Sequence, residues 1–155
     1  MPLPSGRSIP TLTPFEYELA VKAILDADGL SLQRYASGHL QPVSGVDGEY
    51  IIDVVATFDA LGAAFVVLVE CKHEKRKVER QDVQVLKSKL ESTGAHKGML
   101  FSISGFQRGA VEYADVHGIA LVQLVDGFST WHTRSIGLDS PPPTWQKLPR
   151  YVGWW

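Results

Sequence analysis

The chain has 155 residues and a formal net charge of −2, from fifteen Lys+Arg and seventeen Asp+Glu, which excludes a wholly basic wrapper of nucleic acid but not a local basic patch. Hydrophobic residues make up 45% and charged residues 21%, a globular composition. The single cysteine, Cys71, excludes an intramolecular disulfide and a Cys-rich zinc cage. The longest apolar run, Ala60 to Val69, is about half of a bilayer span, and Met1 to Gly6 has no apolar signal-peptide core. These features predict one cytoplasmic domain with no membrane partner: a core over about 13–126 and an aromatic, Pro-rich extension over 127–155.

In chain order, Thr13-Pro14 suits an N-cap followed by the first helical position. Tyr17, Val21, Ile24 and Leu25 then share one helical face, which Gly29 ends. Leu30 to Gln41 reads as a short strand and then a loop, with Gly38, Gly45 and Gly48 marking that loop as mobile or tightly turned. Tyr50 to Phe58 is β-branched and aromatic, Asp59 to Gly62 has turn chemistry, and Ala63 to Lys72 is a second strand, so the three form a hairpin. After a polar run to Arg80, Val83, Leu86 and Leu90 recur at helical spacing until Gly94. Gly98 to Ser104 reads as a strand, Gln107 to His117 as a helix stopped by Gly118, and Ile119 to Val125 as a strand. The order predicts an α/β sandwich with a mixed sheet. All four tryptophans (Trp131, Trp145, Trp154, Trp155) lie in the last 25 residues, around Pro141-Pro142-Pro143.

The hairpin carries the chemistry. With Asp59 to Gly62 as its loop, Phe58 pairs with Ala63, Asp53 stands opposite Leu68, and Glu70 is the diagonal neighbour at roughly 7–8 Å. Lys72 shares Glu70's face and Cys71 points the other way. Two half-buried carboxylates repel unless a cation lies between them. Mg²⁺ meets that need, taking one or two carboxylates and filling its other places with water and phosphate, and the Cys71 carbonyl offers a further oxygen. Such an ion activates a phosphodiester for hydrolysis, with Lys72 stabilising the developing charge. Spacing alone also admits an ordinary salt bridge from Asp53 and Glu70 to Lys72.

The pattern Asp53…Glu70-Cys71-Lys72 on a hairpin after a helix resembles the PD-(D/E)xK nuclease superfamily. The block Gly94-Ala95-His96-Lys97-Gly98…Ser104-Gly105-Phe106 is similar to that of Mrr-type restriction endonucleases. So are Ala110, Ala114 and His117-Gly118-Ile119-Ala120-Leu121, and Thr13-Pro14-Phe15-Glu16-Tyr17-Glu18 at the front. The resemblance covers roughly residues 13–126. It implies a restriction-endonuclease-like three-layer sandwich, a mixed central sheet and an αβββαβ core. It further implies a metal-dependent DNA endonuclease of restriction or defence, using Mg²⁺ or in its place Mn²⁺. Asp53 and Glu70 take the place of metal ligands, Lys72 that of the catalytic lysine, and Glu18 that of a first-helix acid added to the metal site. Helical angles alone leave both Glu16 and Glu18 as rim residues of the first helix. Gln84 is similar to a polar residue on the second helix of these nucleases. The run from Gly45 to Asp53 departs from a glycine-rich stretch common in the family.

Lys72, His73, Lys75, Arg76, Lys77 and Arg80 form a cationic stretch able to hold DNA phosphates, or a solvated loop balanced by Glu74 and Glu79. Ser102 and Ser104 lead from a strand into a helix, where backbone N–H groups and Ser104 can receive a phosphate or serve as a cap. Cys71 and His73 read as a nucleophile and base, or as a buried, inert thiol beside a histidine. His39, His96, His117 and His132 show no metal-ligand spacing. A homodimer is expected, since cutting both strands takes two sites, and specificity then comes from loops, the second copy or a separate specificity subunit. The competing reading is an inactive nuclease-fold module that binds DNA or a protein partner.

Overall fold

The computed structural model describes residues 12–125 and 128–133. Of the extension expected over 127–155, residues 128–133 form a strand of the sheet and 134–155 lie outside the described residues. The elements run α1 (Pro14–Gly29), β1 (Gln33–Gly45), β2 (Gly48–Ala60), β3 (Ala63–Lys72), α2 (Arg80–Thr93), β4 (Lys97–Ser102), α3 (Arg108–His117), β5 (Ala120–Val125) and β6 (Phe128–Thr133). The strands form one six-stranded sheet in sequence order. β1, β2 and β3 make an antiparallel meander, β3, β4 and β5 are parallel, and β6 returns antiparallel to β5.

The pleat sorts the core into two layers. Val69, Phe101 and Val122 pack with Tyr17, Val21 and Leu25 of α1. Their chain neighbours Leu68, Leu100 and Leu121 pack with Val83 and Leu86 of α2 and Ala110 and Ala114 of α3. The result is the expected three-layer α/β sandwich with an αβββαβ core. No helix among the described residues is long and apolar enough to cross a membrane.

The local signals at Thr13 and the glycines act as read. Thr13 accepts from the Glu16 N–H at 3.2 Å, and the Glu16 carboxylate accepts from the Thr13 N–H at 2.8 Å, so Glu16 is held in a capping box. Gly94 and Gly118 close α2 and α3 at φ of +71° and +64°. Gly29 serves a different end: a Cβ there would come within 2.5 Å of the Tyr35 ring.

Two expectations are corrected. Residues 33–45 are a full strand, not a short strand with a loop, and Gly38 and Gly45 lie within it. It is the edge of the sheet, held to β2 by its backbone with few buried side chains, so no alternation of apolar residues betrays it and Pro42 is tolerated. The second correction is the hairpin register. Its loop is only Leu61-Gly62, with φ of +51° and +76°, so Ala60 pairs with Ala63 and Phe58 with Phe65. Positive φ at both loop residues is the primed turn whose twist matches that of the flanking strands. The slip of two residues makes Val54 pair with Val69, which brings Asp53 level with Glu70 instead of Leu68.

That pair is also where β2 and β3 part, because no ladder pair follows it. β2 goes on with β1 as a two-stranded arm whose Val43, Tyr50 and Ile52 pack with the α2 side of the core. At the arm's tip the Val46 N–H bonds the Ser92 carbonyl at 3.0 Å. Asp47 there accepts from Ser92 and from the Tyr50 hydroxyl, and burial and opposing charge play no leading part in its lowered pKa, which the Ser92 bond dominates. Ile52 and Val54 therefore belong to opposite core layers although they are two residues apart. The strand turns over at Asp53.

Leucine in the left-handed region costs about 1–2 kcal/mol, and asparagine less. Leu61→Asn, at a fully exposed position, is expected to stabilise the fold by about 1 kcal/mol in denaturant unfolding, with no change in spectroscopic signature.

Candidate active site

Where the ladder ends, the N–H of Cys71 has lost its strand partner, and the Asp53 carboxylate accepts it at 2.7 Å. This bond fixes Asp53 beside Glu70. Glu70 in turn accepts from Lys89 of α2 at 2.7 Å, with the two side chains 13% and 20% exposed, so solvent screens the pair little. Burial, above all, holds the Glu70 carboxyl above its ordinary pKa; the charge of Asp53 adds to this, and Lys89 and Lys72 oppose it without prevailing.

Lys72 stands 4.0 Å from Asp82, and its side chain is 32% exposed. Asp82 is the hub of the neighbouring network. It takes a two-pronged bond from Arg76 at 3.0 and 3.2 Å and the Glu79 N–H at 2.9 Å. Burial pushes the Asp82 carboxyl upward, but the bonds from Arg76 and Glu79 and the charges of Arg76 and Lys72 bring it below its ordinary pKa.

Glu18 of α1 is bound to His39 of β1 at 2.6 Å, and Phe15 sets its ring edge-on to His39 at 4.9 Å. Burial, then the charges of Asp53, Glu18 and Glu70, drive the Cys71 thiol far up, so all three acids lie within electrostatic reach of one residue. A thiol so held is a poor nucleophile. His73 packs on the Tyr17 ring at 5.3 Å. The structure thus favours the inert reading of Cys71.

The residues expected to meet DNA fall into two groups. Lys75, Lys77 and Gln84 are exposed around the start of α2. Arg76 is engaged by Glu74, Glu79 and Asp82, and Arg80 lies 5.2 Å over the Tyr113 ring. Ser104 donates its hydroxyl to the Glu74 carbonyl, and its N–H bonds the Ser102 hydroxyl at 3.2 Å. Val78 and Phe106 form a bridge, closed by Val78 N–H to Gly105 at 3.0 Å and Gln107 N–H to Val78 at 2.9 Å. The loops after β3 and β4 are therefore one tied platform beside Lys72.

Sequence reasoning missed Lys89, Asp82 and His39. A signal existed for two of them, since Asp82, Leu86 and Lys89 stand at i, i+4 and i+7 on the buried flank of α2. Nothing local pointed to His39.

A three-layer sandwich whose acids gather where the second and third strands part defines a restriction-endonuclease-like domain. The chain belongs to the restriction endonuclease family of the Mrr catalytic type, whose model matches residues 9–128, as the Gly94–Phe106 block led us to expect. The domain is thus a restriction-type nuclease domain. Among solved structures the chain is similar in fold to the crystal structure of a protein of unknown function, AF1548, with a TM-score of 0.56 and 19% identity. That likeness covers 70% of this chain and 57% of the other. No curated protein matches the chain.

Breaking a shielded ion pair from one side leaves a charge stranded, so Lys89→Met is expected to cost about 3 kcal/mol. Glu70→Gln has the opposite sign, because it removes the more buried charge and leaves Lys89, 20% exposed on a long apolar stem, able to turn its ammonium to water. A carboxyl with a raised pKa in the folded state destabilises that state increasingly as pH rises through the raised value. Glu70→Gln should therefore raise the melting temperature by a few degrees at neutral pH, with the gain fading in acid. In the Glu70→Gln background Lys89→Met should cost little, a coupling that a double-mutant cycle reads directly.

Proposed function

We propose that this domain is a divalent-metal-dependent DNA endonuclease of restriction or defence against foreign DNA. The observation that carries the reading is the adjacency of Asp53 and Glu70 at the parting of two strands, with Lys72 one strand-face step beyond. Among the described residues no three His, Cys, Asp or Glu side chains are grouped to hold an ion by themselves. A two-carboxylate site still fits Mg²⁺, which commonly takes one or two carboxylates and completes its shell with water and phosphate. The donors are hard oxygens: Asp53, Glu70 and the Cys71 carbonyl, while Glu18 is engaged by His39 and is not grouped with the other two acids. Burial first, and then the nearby charge of Asp53, hold the Glu70 carboxyl above its ordinary pKa, and a bound cation would oppose both.

Bound there, Mg²⁺ or Mn²⁺ supplies Lewis-acid polarisation of a phosphodiester oxygen and activation of a water. The protein's part is orientation and charge. Asp53 is held by the Cys71 N–H, which aims one carboxylate oxygen and leaves the other for the site. Lys72, loosely held by Asp82 and a third exposed, turns to the scissile phosphate and stabilises the charge that grows on it. Lys75, Lys77 and Arg80 lie along neighbouring phosphates, while Arg76 braces the platform. The family's activity and the need for two cuts motivate a homodimer, and a separate specificity subunit is compatible with a domain of this size. The expected setting is the cytoplasm.

The test is cleavage of supercoiled plasmid. Mg²⁺ should support nicking and EDTA should abolish it. Asp53→Asn, Glu70→Gln and Lys72→Ala should each lose at least about a hundredfold in rate while remaining folded. Mg²⁺ should also raise the melting temperature of the parent protein and not that of Asp53→Asn. Full cleavage in all three variants would falsify the assignment, and DNA binding without cleavage would point to a non-catalytic module.

A further inference from the structure

At the opposite end of the sheet a cavity of about 430 Å³ opens on the α1 side. Its walls are apolar: Leu25 from α1, Leu32 just before β1, and Phe58, Val67 and Met99 from β2, β3 and β4. Asp28 is the one acid among the lining residues. The volume lies within the range of pockets that take small molecules or large side chains. None of these residues belongs to the candidate active site.

We infer that this pocket receives an aromatic side chain from the chain's own segment 134–155. The course of the sheet brings that segment to the right place. β5 begins beside the pocket, since Ala120 pairs with Met99. β6 then runs back antiparallel, and its last residue, Thr133, pairs with Leu121. The chain therefore leaves the sheet at the pocket's end and two strands from β4, about 10 Å at ordinary strand spacing. Trp145 is twelve residues further on, a reach of up to about 37 Å in the extended form that Pro141-Pro142-Pro143 favours.

The alternative tether is worse placed. Residues 1–11 lead into α1 at Pro14, whereas the pocket lies at Gly29, about 24 Å away along the helix.

The chemistry agrees with the geometry. Segment 134–155 carries Trp145, Tyr151, Trp154 and Trp155, and indole combines a large apolar body with an N–H donor. Asp28 is an acceptor for that donor. The segment's charges are Arg134, Lys147 and Arg150 against Asp139, an excess of positive charge that suits a pocket whose one lining acid is Asp28. Seating the segment covers Leu32 and Phe58 and completes the core at the hairpin end.

The sequence offers its own probe, because all four tryptophans lie at or after Trp131. In the full chain carrying Trp131→Phe, indole emission should be blue-shifted, with an acrylamide quenching constant about threefold below that of free indole. Leu32→Asp places a charge in the pocket at a position already 41% exposed, so the fold should survive, as circular dichroism will show. It should red-shift the emission and restore quenching. Ala56→Met, which fills the pocket from β2, should do the same. Trp145→Phe should remove the shielded component. Emission that already matches free indole, or shielding indifferent to both pocket variants, overturns the inference. Shielding lost on dilution overturns it too, assigning the pocket to a second copy. Plasmid cleavage should be unchanged in Leu32→Asp, which separates this reading from that of the active site.

Discussion

The structure turns on the parting of β2 from β3 at the Val54–Val69 pair. An antiparallel ladder that simply stopped would leave the Cys71 N–H without its partner, and a buried amide left unpaired costs 1–3 kcal/mol by rough estimate. The Asp53 carboxylate takes that N–H instead. One side chain thereby closes off the β2–β3 ladder, lets the β1–β2 arm bend onto α2, and plants an acid beside Glu70. The local demand of the backbone and the later demand of the site are met by the same residue. Lys89 offsets part of the resulting repulsion from the far side, reaching across from α2. Burial of Glu70 and the charge of Asp53 together outweigh that offset, so the Glu70 carboxyl stays above its ordinary pKa.

How much of this was legible depends on where each instruction is written. Thr13, Gly94 and Gly118 act on their own chain neighbours, so a reader of the sequence finds them. The buried halves of β3, β4 and β5 betray themselves because Leu68/Val69, Leu100/Phe101 and Leu121/Val122 feed both core layers. β1 is hidden because an edge strand is specified by hydrogen bonds that every residue type can make. The hairpin register is hidden for a subtler reason. Asp59 and Ala60 look like turn residues, and Leu61 does not look like one that accepts a positive φ. The four-residue loop read there displaces Asp53 by two positions, so the likeness to a nuclease motif survived while the geometry beneath it was wrong.

Partners across space were the least legible layer. That Glu70 needed a cation followed from its company; that Lys89 supplies it depended on the angle at which α2 crosses the sheet. Glu16 and Glu18 look alike in sequence, two residues apart on one helix rim. The capping box claims Glu16, and the bond with His39 turns Glu18 toward β1, so the fold separates them by their first contacts. Arg76 teaches a related lesson about the basic stretch. A run of like charge in sequence is not one surface in space, for Arg76 is bound by three carboxylates while Lys75 and Lys77 stand in solvent.

The two ends of the sheet therefore do different work, and the direction of the strands decides which is which. β3 and β4 are parallel, so both deliver their carboxyl ends, and the loops that follow, to one edge. That is the side where open α/β sheets generally place their ligands. The Val78–Phe106 bridge ties those two loops together, so that Lys72 and the cationic residues beyond it move with β4 as well as β3. At such an edge, a net-acidic chain concentrates positive charge around a pair of acids without becoming basic overall. The amino ends of the same strands receive a tight turn and helix ends, around an apolar pocket lined by Leu25, Phe58, Val67 and Met99. A substitution at that end acts on folding, whereas one at the carboxyl end acts on the balance of charge among Asp53, Glu70, Lys72 and Lys89. The parallel β3–β4 pair keeps those two consequences physically apart.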